Sequence, residues 1–278
     1  MTDHTALQAV PATDHIDHHM DDHIDLERKV PPHGGFNARL LRIELARVLR
    51  NKRTLVFTML LPIAFYVAFG VPQSGQWPGT DFDPKAYEMI SFALYGALAA
   101  SCAIGAGVAV ERAQGWSRQL RLTPLSGPAY IGIKVITAMI TAALPVIIVF
   151  VIGASTGASM STGAWPISLV LTWICGSLFA SLGLFVGYLV PSENAMQVLG
   201  PGISLLAFAG GIFYPLAVMS HTMRTVASFT PMWGLSQIAR YPMLGGSFDP
   251  MWLVSAVLWI GLFFAGAVWR FRRDTSRV

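Results

Sequence analysis

The sequence predicts an all-α integral membrane protein: six transmembrane helices, both termini cytoplasmic, preceded by an amphipathic interfacial helix. Three observations predict it. Hydrophobic residues make up 54% of the 278-residue chain and charged residues 12%, with a mean hydropathy of +0.54, whereas soluble globular chains carry about 25% charged residues. Residues 1–53 hold 16 of the 34 charged side chains, so the other 225 residues share 18, too few to coat a soluble globule. The remaining charges are spaced so that long uncharged runs lie between them, and Lys and Arg cluster at alternate intervals.

The same composition excludes a disordered chain, a coiled coil and a disulfide-built secreted domain. Cys102 and Cys175 lie inside apolar stretches, and two such thiols make neither a framework nor a zinc site.

Taken in order, residues 1–35 form a separate cytoplasmic tail. Six of the seven histidines and seven acidic residues occur there, with almost nothing apolar to bury, so the tail is expected to be disordered. The cluster His15, His18, His19 and His23, mixed with Asp14, Asp17, Asp21 and Asp22, reads either as a transition-metal binder or as a solvated polar tail. With no fold to hold a ligand geometry, no metal site is assigned. Residues 36–53 follow as an interfacial helix. Arg39, Arg42, Arg47, Arg50 and Arg53 fall within about 140° of a helical wheel, opposite Leu41, Leu45, Val48 and Leu49. A basic amphipathic helix of this kind suits anionic lipid headgroups, although a plain topogenic charge cluster explains it as well.

Residues 54–278 are the six-span transmembrane domain. A span needs roughly 20 apolar residues, and an ionised group at its centre costs about 2.5–3.5 kcal/mol. Uncharged runs of 27, 22, 58, 30 and 20 residues follow Arg53, Glu88, Lys134, Glu193 and Asp249. The 58-residue run holds two helices, divided by the Gly/Ser/Thr-rich turn 153–163. The spans are placed near 54–72, 89–110, 133–153, 166–189, 195–216 and 251–270. Segments 1–53, 111–134 and 270–278 carry 8, 4 and 4 Lys and Arg, against 1 in 73–88 and 2 in 217–250. By the positive-inside rule both termini face the cytoplasm, in the cell (plasma) membrane. The sequence pI of about 9.3 is thereby explained by topology, not by nucleic acid. Residues 217–245 are read as outer re-entrant or surface helices. A seventh span there would include Pro231 and put the four C-terminal arginines outside.

Chemistry of the usual kinds is missing. A phosphate-cradling loop needs Lys after glycine, and none of Lys29, Lys52, Lys85 and Lys134 follows one. HExxH, paired CxxC and GxSxG do not occur. No catalytic residue is assigned, and the lone outer histidine His221 is read as a surface residue. The most informative stretch is the cytoplasmic loop between the second and third spans, 111–134. Its first ten residues are expected to form a short helix, with Glu111 at the start, and Pro124 and Gly127-Pro128 end it. Trp116 and Leu120 would be apolar anchors on such a helix; a positively charged turn with no partner is the alternative.

This loop resembles the corresponding region of type-2 ABC exporter permeases, the daunorubicin-resistance permease-like family. Glu111, Arg112, Gly115, Leu120, Arg121, Thr123, Pro124, Leu125, Ser126 and Lys134 match its pattern. The resemblance extends over roughly 36–278. It includes Leu61-Pro62, the Glu193, Asn194, Ala195, Gln197 opening of the fifth span, and Gly210-Gly211-x-Phe213-Tyr214-Pro215 at that span's end. Phe229-Thr230-Pro231 and Gly245-Gly246 also fit it. One departure is Gly115-Trp116, where the family usually has Gly-Thr.

The resemblance implies a membrane subunit without its own ATPase motif. It would export a drug, lipid or glycolipid-like substrate from the cytoplasm or inner leaflet, dimeric with a second permease copy or a paralogue. Two copies of a separate ABC ATP-binding subunit would drive it, carrying the ATP and magnesium; this chain would bind no cofactor. A helix near 111–121 would be the coupling helix, with Glu111, Arg112, Gly115, Trp116, Arg118, Leu120 and Arg121 facing the ATPase. Asn194, Gln197, Phe213 and Tyr214 would line the substrate path, although the two amides serve equally to hydrogen-bond neighbouring helices. The spans offer no buried charge for an ion, which favours an amphipathic or lipid-like cargo. A non-transporting membrane scaffold or sensor with the same spans is the alternative from another class.

Overall fold

The computed structural model describes residues 36–77, 79–115 and 125–276, and all regular structure among them is helical. The His-rich tail lies outside the described residues.

Helix α1 (Ala38–Arg50) starts at Asn37, whose side chain accepts from Arg39 N at 2.8 Å. None of its residues is buried. A one-residue break at Asn51 leads into α2 (Lys52–Phe65), which continues as a π-helical turn, Tyr66–Gly70. Pro62 lies inside α2; it lacks the N–H that would bond one turn back, and the helix widens a turn later.

Helix α3 (Pro84–Ala113) is the hub. Asp83 caps it by accepting from Lys85 N at 3.0 Å, and Pro84 takes the first position, where its missing N–H costs nothing. Of its 30 residues, 22 are buried, because α2, α4 (Gly127–Ser155), α5 (Ala164–Ser177) and α6 (Ala180–Leu189) all pack on it. Two glycines set the closest approaches. A Cβ on Gly96 would meet Pro62 and Pro145 at 2.9 Å, so α2 and α4 press their prolines against it. A Cβ on Gly105 would lie 2.5 Å from Leu184 N, and one on Gly183 2.4 Å from Cys102 O. At this α3–α6 crossing backbone meets backbone, the close approach that small residues spaced as Gly183 and Gly187 permit.

The fourth predicted span is one stretch, Ala164–Leu189, interrupted at Leu178–Phe179 between α5 and α6. Helix α7 (Ser192–Ala209) runs unbroken through Pro201. It stops at Gly210, before Gly211 at φ 72°, so the fifth span predicted to reach 216 ends at 209. Short helices α8 (His221–Ser228) and α9 (Pro231–Leu244) follow, then α10 (Pro250–Ser276).

Four helical stretches are long and apolar enough to cross a membrane: Pro84–Ala113, Ala129–Ser155, Ala164–Leu189 and Pro250–Arg270. Two shorter apolar stretches, Thr58–Gly70 and Gln197–Ala209, coincide with the first and fifth predicted spans. The 18 residues of α7 reach about 27 Å, just under a hydrocarbon core of about 30 Å. Helix α10 packs on α6 and α9 yet buries only Ala256 and Ala267 among its described side chains. Met251, Leu253, Val257, Leu258 and Leu262 stay exposed on it, a surface suited to hydrocarbon rather than water.

The inner loop departs from expectation at its start. Glu111 does not open a new helix; it occupies the last turn of α3, which ends at Ala113. Gly115 at φ 74° then turns the chain, the left-handed conformation that glycine adopts without penalty. Trp116, Arg118, Leu120 and Arg121 lie outside the described residues.

Candidate functional site

Two sites emerge, one at each end of α3. At the Ala113 end, the Glu111 carboxylate is 4% exposed and takes three donors from two helices: Lys134 Nζ, Arg47 Nη2 and Tyr130 OH. Lys134, 2% exposed, also binds Glu44, and Arg47 reaches Glu44 at 2.8 Å. Two carboxylates and two cations thus make a neutral cluster joining α1, α3 and α4. The C-terminal end of a helix carries partial negative charge, so Glu111 sits where a carboxylate is disfavoured, opposite to the placement expected at a helix start. The two cations offset this. For Arg47, burial opposes the charge, but the hydrogen bond and charge of Glu111 outweigh it and hold the guanidinium above its usual pKa.

The neighbouring Arg112 turns to α6. Its Nη1 donates to Gly187 O and Tyr188 O, both at 3.2 Å, and its guanidinium lies 5.5 Å from the centre of the Tyr188 ring. A cation on the last carbonyls of α6 satisfies acceptors that the helix leaves open. Arg112 therefore has an internal role that its position in a loop motif did not suggest.

At the Pro84 end, a cavity of about 440 Å³ opens between the π turn of α2, α3 and the chain after α7. Phe213 and Tyr214 line it. Phe213 packs against Phe65, Phe92 and Tyr95 at ring separations of 6.4, 5.6 and 5.2 Å. A smaller cavity of about 190 Å³ lies farther along the same face, between Leu61, Tyr95 and Leu199. Asn194 and Gln197 are exposed near the start of α7 and line neither. The structure brings Phe213 and Tyr214 to one cavity and leaves the two amides apart from it.

Sequence reasoning missed two charged residues here. Arg240 on α9, counted as an outer-loop cation, is fully buried. It donates to Gly211 O at 3.1 Å, Ile212 O at 2.8 Å and Ser91 Oγ at 2.9 Å, and lies 4.1 Å from the centre of the Tyr87 ring. It thereby ties the end of α7 to α3. Glu88, placed at a span boundary, is 5% exposed on α3 and lines the larger cavity. The expectation that the spans offer no buried charge is corrected by Glu88 in α3. The only sequence signal was a pair of lone charges flanked by apolar residues. Among the described residues, no group of three His, Cys, Asp or Glu side chains is placed to hold a metal ion.

A model of the family described as ABC-2 type transporter matches residues 38–244. The chain is also 30% identical over 219 residues to the "Putative transport permease YvfS" of Bacillus subtilis (strain 168), covering 75% of this chain and 85% of that protein. The matched segment contains both ends of α3, the Glu111 cluster and the aromatic cavity. The chain therefore belongs to the ABC-2 type transporter family, as a multi-pass membrane permease subunit of a kind that lacks ATPase motifs and works with ABC ATP-binding subunits.

Proposed function

We propose that this permease exports an amphipathic drug-like, lipid or glycolipid-like substrate, with α2, α3, α4, α5–α6, α7 and α10 as six spans and both termini cytoplasmic. Two copies of the chain, or one copy and a paralogue, pair in the membrane, and two ATP-binding subunits drive them. The observation that carries this reading is the Glu111 cluster. It joins α1, α3 and α4 immediately before the segment that resembles a coupling element. A push on residues 116–121 would reach Glu111 along the chain through Gly115 and Arg112, and the neutral cluster, with Glu111 and Lys134 buried at its centre, would pass displacement on because separating those two charges is costly.

Trp116 and Leu120 would anchor the ATP-binding subunit, with Arg118 and Arg121 pairing with its acidic groups; aromatic anchors often dominate such interfaces. Phe213 and Tyr214 would wall the substrate path, with Asn194 and Gln197 nearer its entrance. The apolar lining of the two cavities supports an amphipathic cargo over a sugar or an inorganic ion.

The test is reconstitution with the ATP-binding subunit in proteoliposomes. Export requires that the complex hydrolyse ATP and move an amphipathic probe, and that the purified permease alone hydrolyse none. A complex that assembles and hydrolyses ATP without moving any amphiphile would sink the export reading.

A further inference from the structure

We infer that the cavity at the Pro84 end of α3 is a binding site for an organic monocation with an apolar or aromatic shell, recognised by Glu88. This names a substrate class and rests on the export reading above.

The chemistry is set by what lines the cavity. Glu88 is 95% withdrawn from solvent, and its Oε2 has no hydrogen-bond partner. A buried carboxylate oxygen without a partner is costly, and a cation entering the cavity supplies the missing charge. The remaining walls are largely aromatic: Phe65, Phe69, Trp77, Phe92, Phe213 and Tyr214. Aromatic faces attract cations, most strongly where water is excluded, and they hold a ligand's apolar shell as well. A volume of about 440 Å³ lies in the range of small-molecule sites, roughly 300–1,000 Å³. The exposed rings of Phe69 and Tyr214 mark its open side.

The charged group nearest to compete is Arg240. Its bonded donors go to Gly211 O, Ile212 O and Ser91 Oγ, and its guanidinium faces Tyr87. Arg240 is not among the residues lining the cavity. With those donors engaged elsewhere, Glu88 Oε2 is left for a ligand. An anionic lipid headgroup, by contrast, would meet a carboxylate and the negative faces of the rings.

The test uses the purified full chain in lipid nanodiscs and two probes of matched shape and opposite charge, tetraphenylphosphonium and tetraphenylborate. The saturable component of binding is measured for each. The wild type should bind the phosphonium saturably and the borate not. Glu88→Gln should weaken phosphonium binding roughly ten-fold or more, and Phe69→Leu should weaken it measurably. Saturable binding blind to the sign of charge, no saturable phosphonium binding, or phosphonium binding unchanged in Glu88→Gln would overturn the proposal. If Glu88→Gln fails to insert, the wild-type comparison of the two probes and the Phe69→Leu variant still decide. The export reading is tested separately. Phosphonium binding without ATP-coupled export by the complex leaves the site and sinks that reading, whereas ATP-coupled export of other cargo with a charge-blind cavity does the reverse.

Discussion

The ammonium of Lys134 and the carboxylate of Glu111, 23 residues apart, meet inside the protein with 2% and 4% of their surfaces exposed. Lys134 comes from the early turns of α4 and Glu111 from the last turn of α3, so the pair joins the two ends of the intervening loop. Helix α1 adds Glu44 and Arg47 to the same pair. This contact gives the loop a fixed base whatever docks against it.

Removing one partner of a buried ion pair leaves an uncompensated charge, at a cost of about 3–5 kcal/mol. Lys134→Met should therefore lower stability against denaturant in detergent by that order, while Lys134→Met with Glu111→Gln recovers much of the loss. A single variant as stable as wild type would show that Arg47 and Tyr130 alone satisfy Glu111.

Transmission through the cluster has its own signature. Glu111→Gln keeps the size of the side chain but removes its charge, and should lower export per ATP hydrolysed while the ATP-binding subunit still co-purifies. Trp116→Ala and Leu120→Ala should instead weaken co-purification. Wild-type export and assembly in all three would end the coupling proposal.

Two glycines two residues apart on α3 should respond oppositely to the same substitution. Gly105→Ala places a methyl 2.5 Å from Leu184 N, and overpacking of this kind costs about 1–3 kcal/mol. Gly107 has nothing within 4 Å of the added carbon, so Gly107→Ala should be neutral or stabilise by up to about 1 kcal/mol through helix propensity. Thermal unfolding of the two variants in one detergent compares them directly, and equal shifts would remove the α3–α6 backbone contact from the account.

Topology is testable by cysteine labelling in intact cells. Cys102 and Cys175 are both buried, so a background lacking them needs only small replacements such as Ala. Ser74→Cys and Ser247→Cys, both at exposed positions, should react with an impermeant maleimide. Ser117→Cys and Ser276→Cys should react only after permeabilisation. Labelling at 276 from outside would require an odd number of spans.

What the sequence determined by itself follows from the solvent. Hydrocarbon punishes exposed charge and unpaired backbone so heavily that uncharged runs, with one Gly/Ser/Thr-rich turn, located the six apolar helical stretches, although individual ends differ by up to seven residues. Local proline and glycine signals were only partly read: Gly210-Gly211 was placed at the end of the fifth span and closes α7, whereas Gly127-Pro128, read as ending a loop helix, opens α4, and Asp83-Pro84 opens α3 five residues before the expected start.

The tertiary structure decided which side chains meet. Nothing in residues 111–121 shows that α3 runs on to Ala113, because a carboxylate at Glu111 favours a helix start until Lys134, Tyr130 and Arg47 are known to surround it. Nor does spacing reveal that Arg240 reaches 149 residues back to Ser91, or that Glu88 faces an aromatic cavity assembled from α2, α3 and the chain beyond α7. Apolar periodicity reports how much of a helix avoids water. The partner of a buried charge depends on how helices distant in sequence are rotated against one another, and here packing sets that rotation: Pro62 and Pro145 against Gly96, and the Gly105–Gly183 crossing.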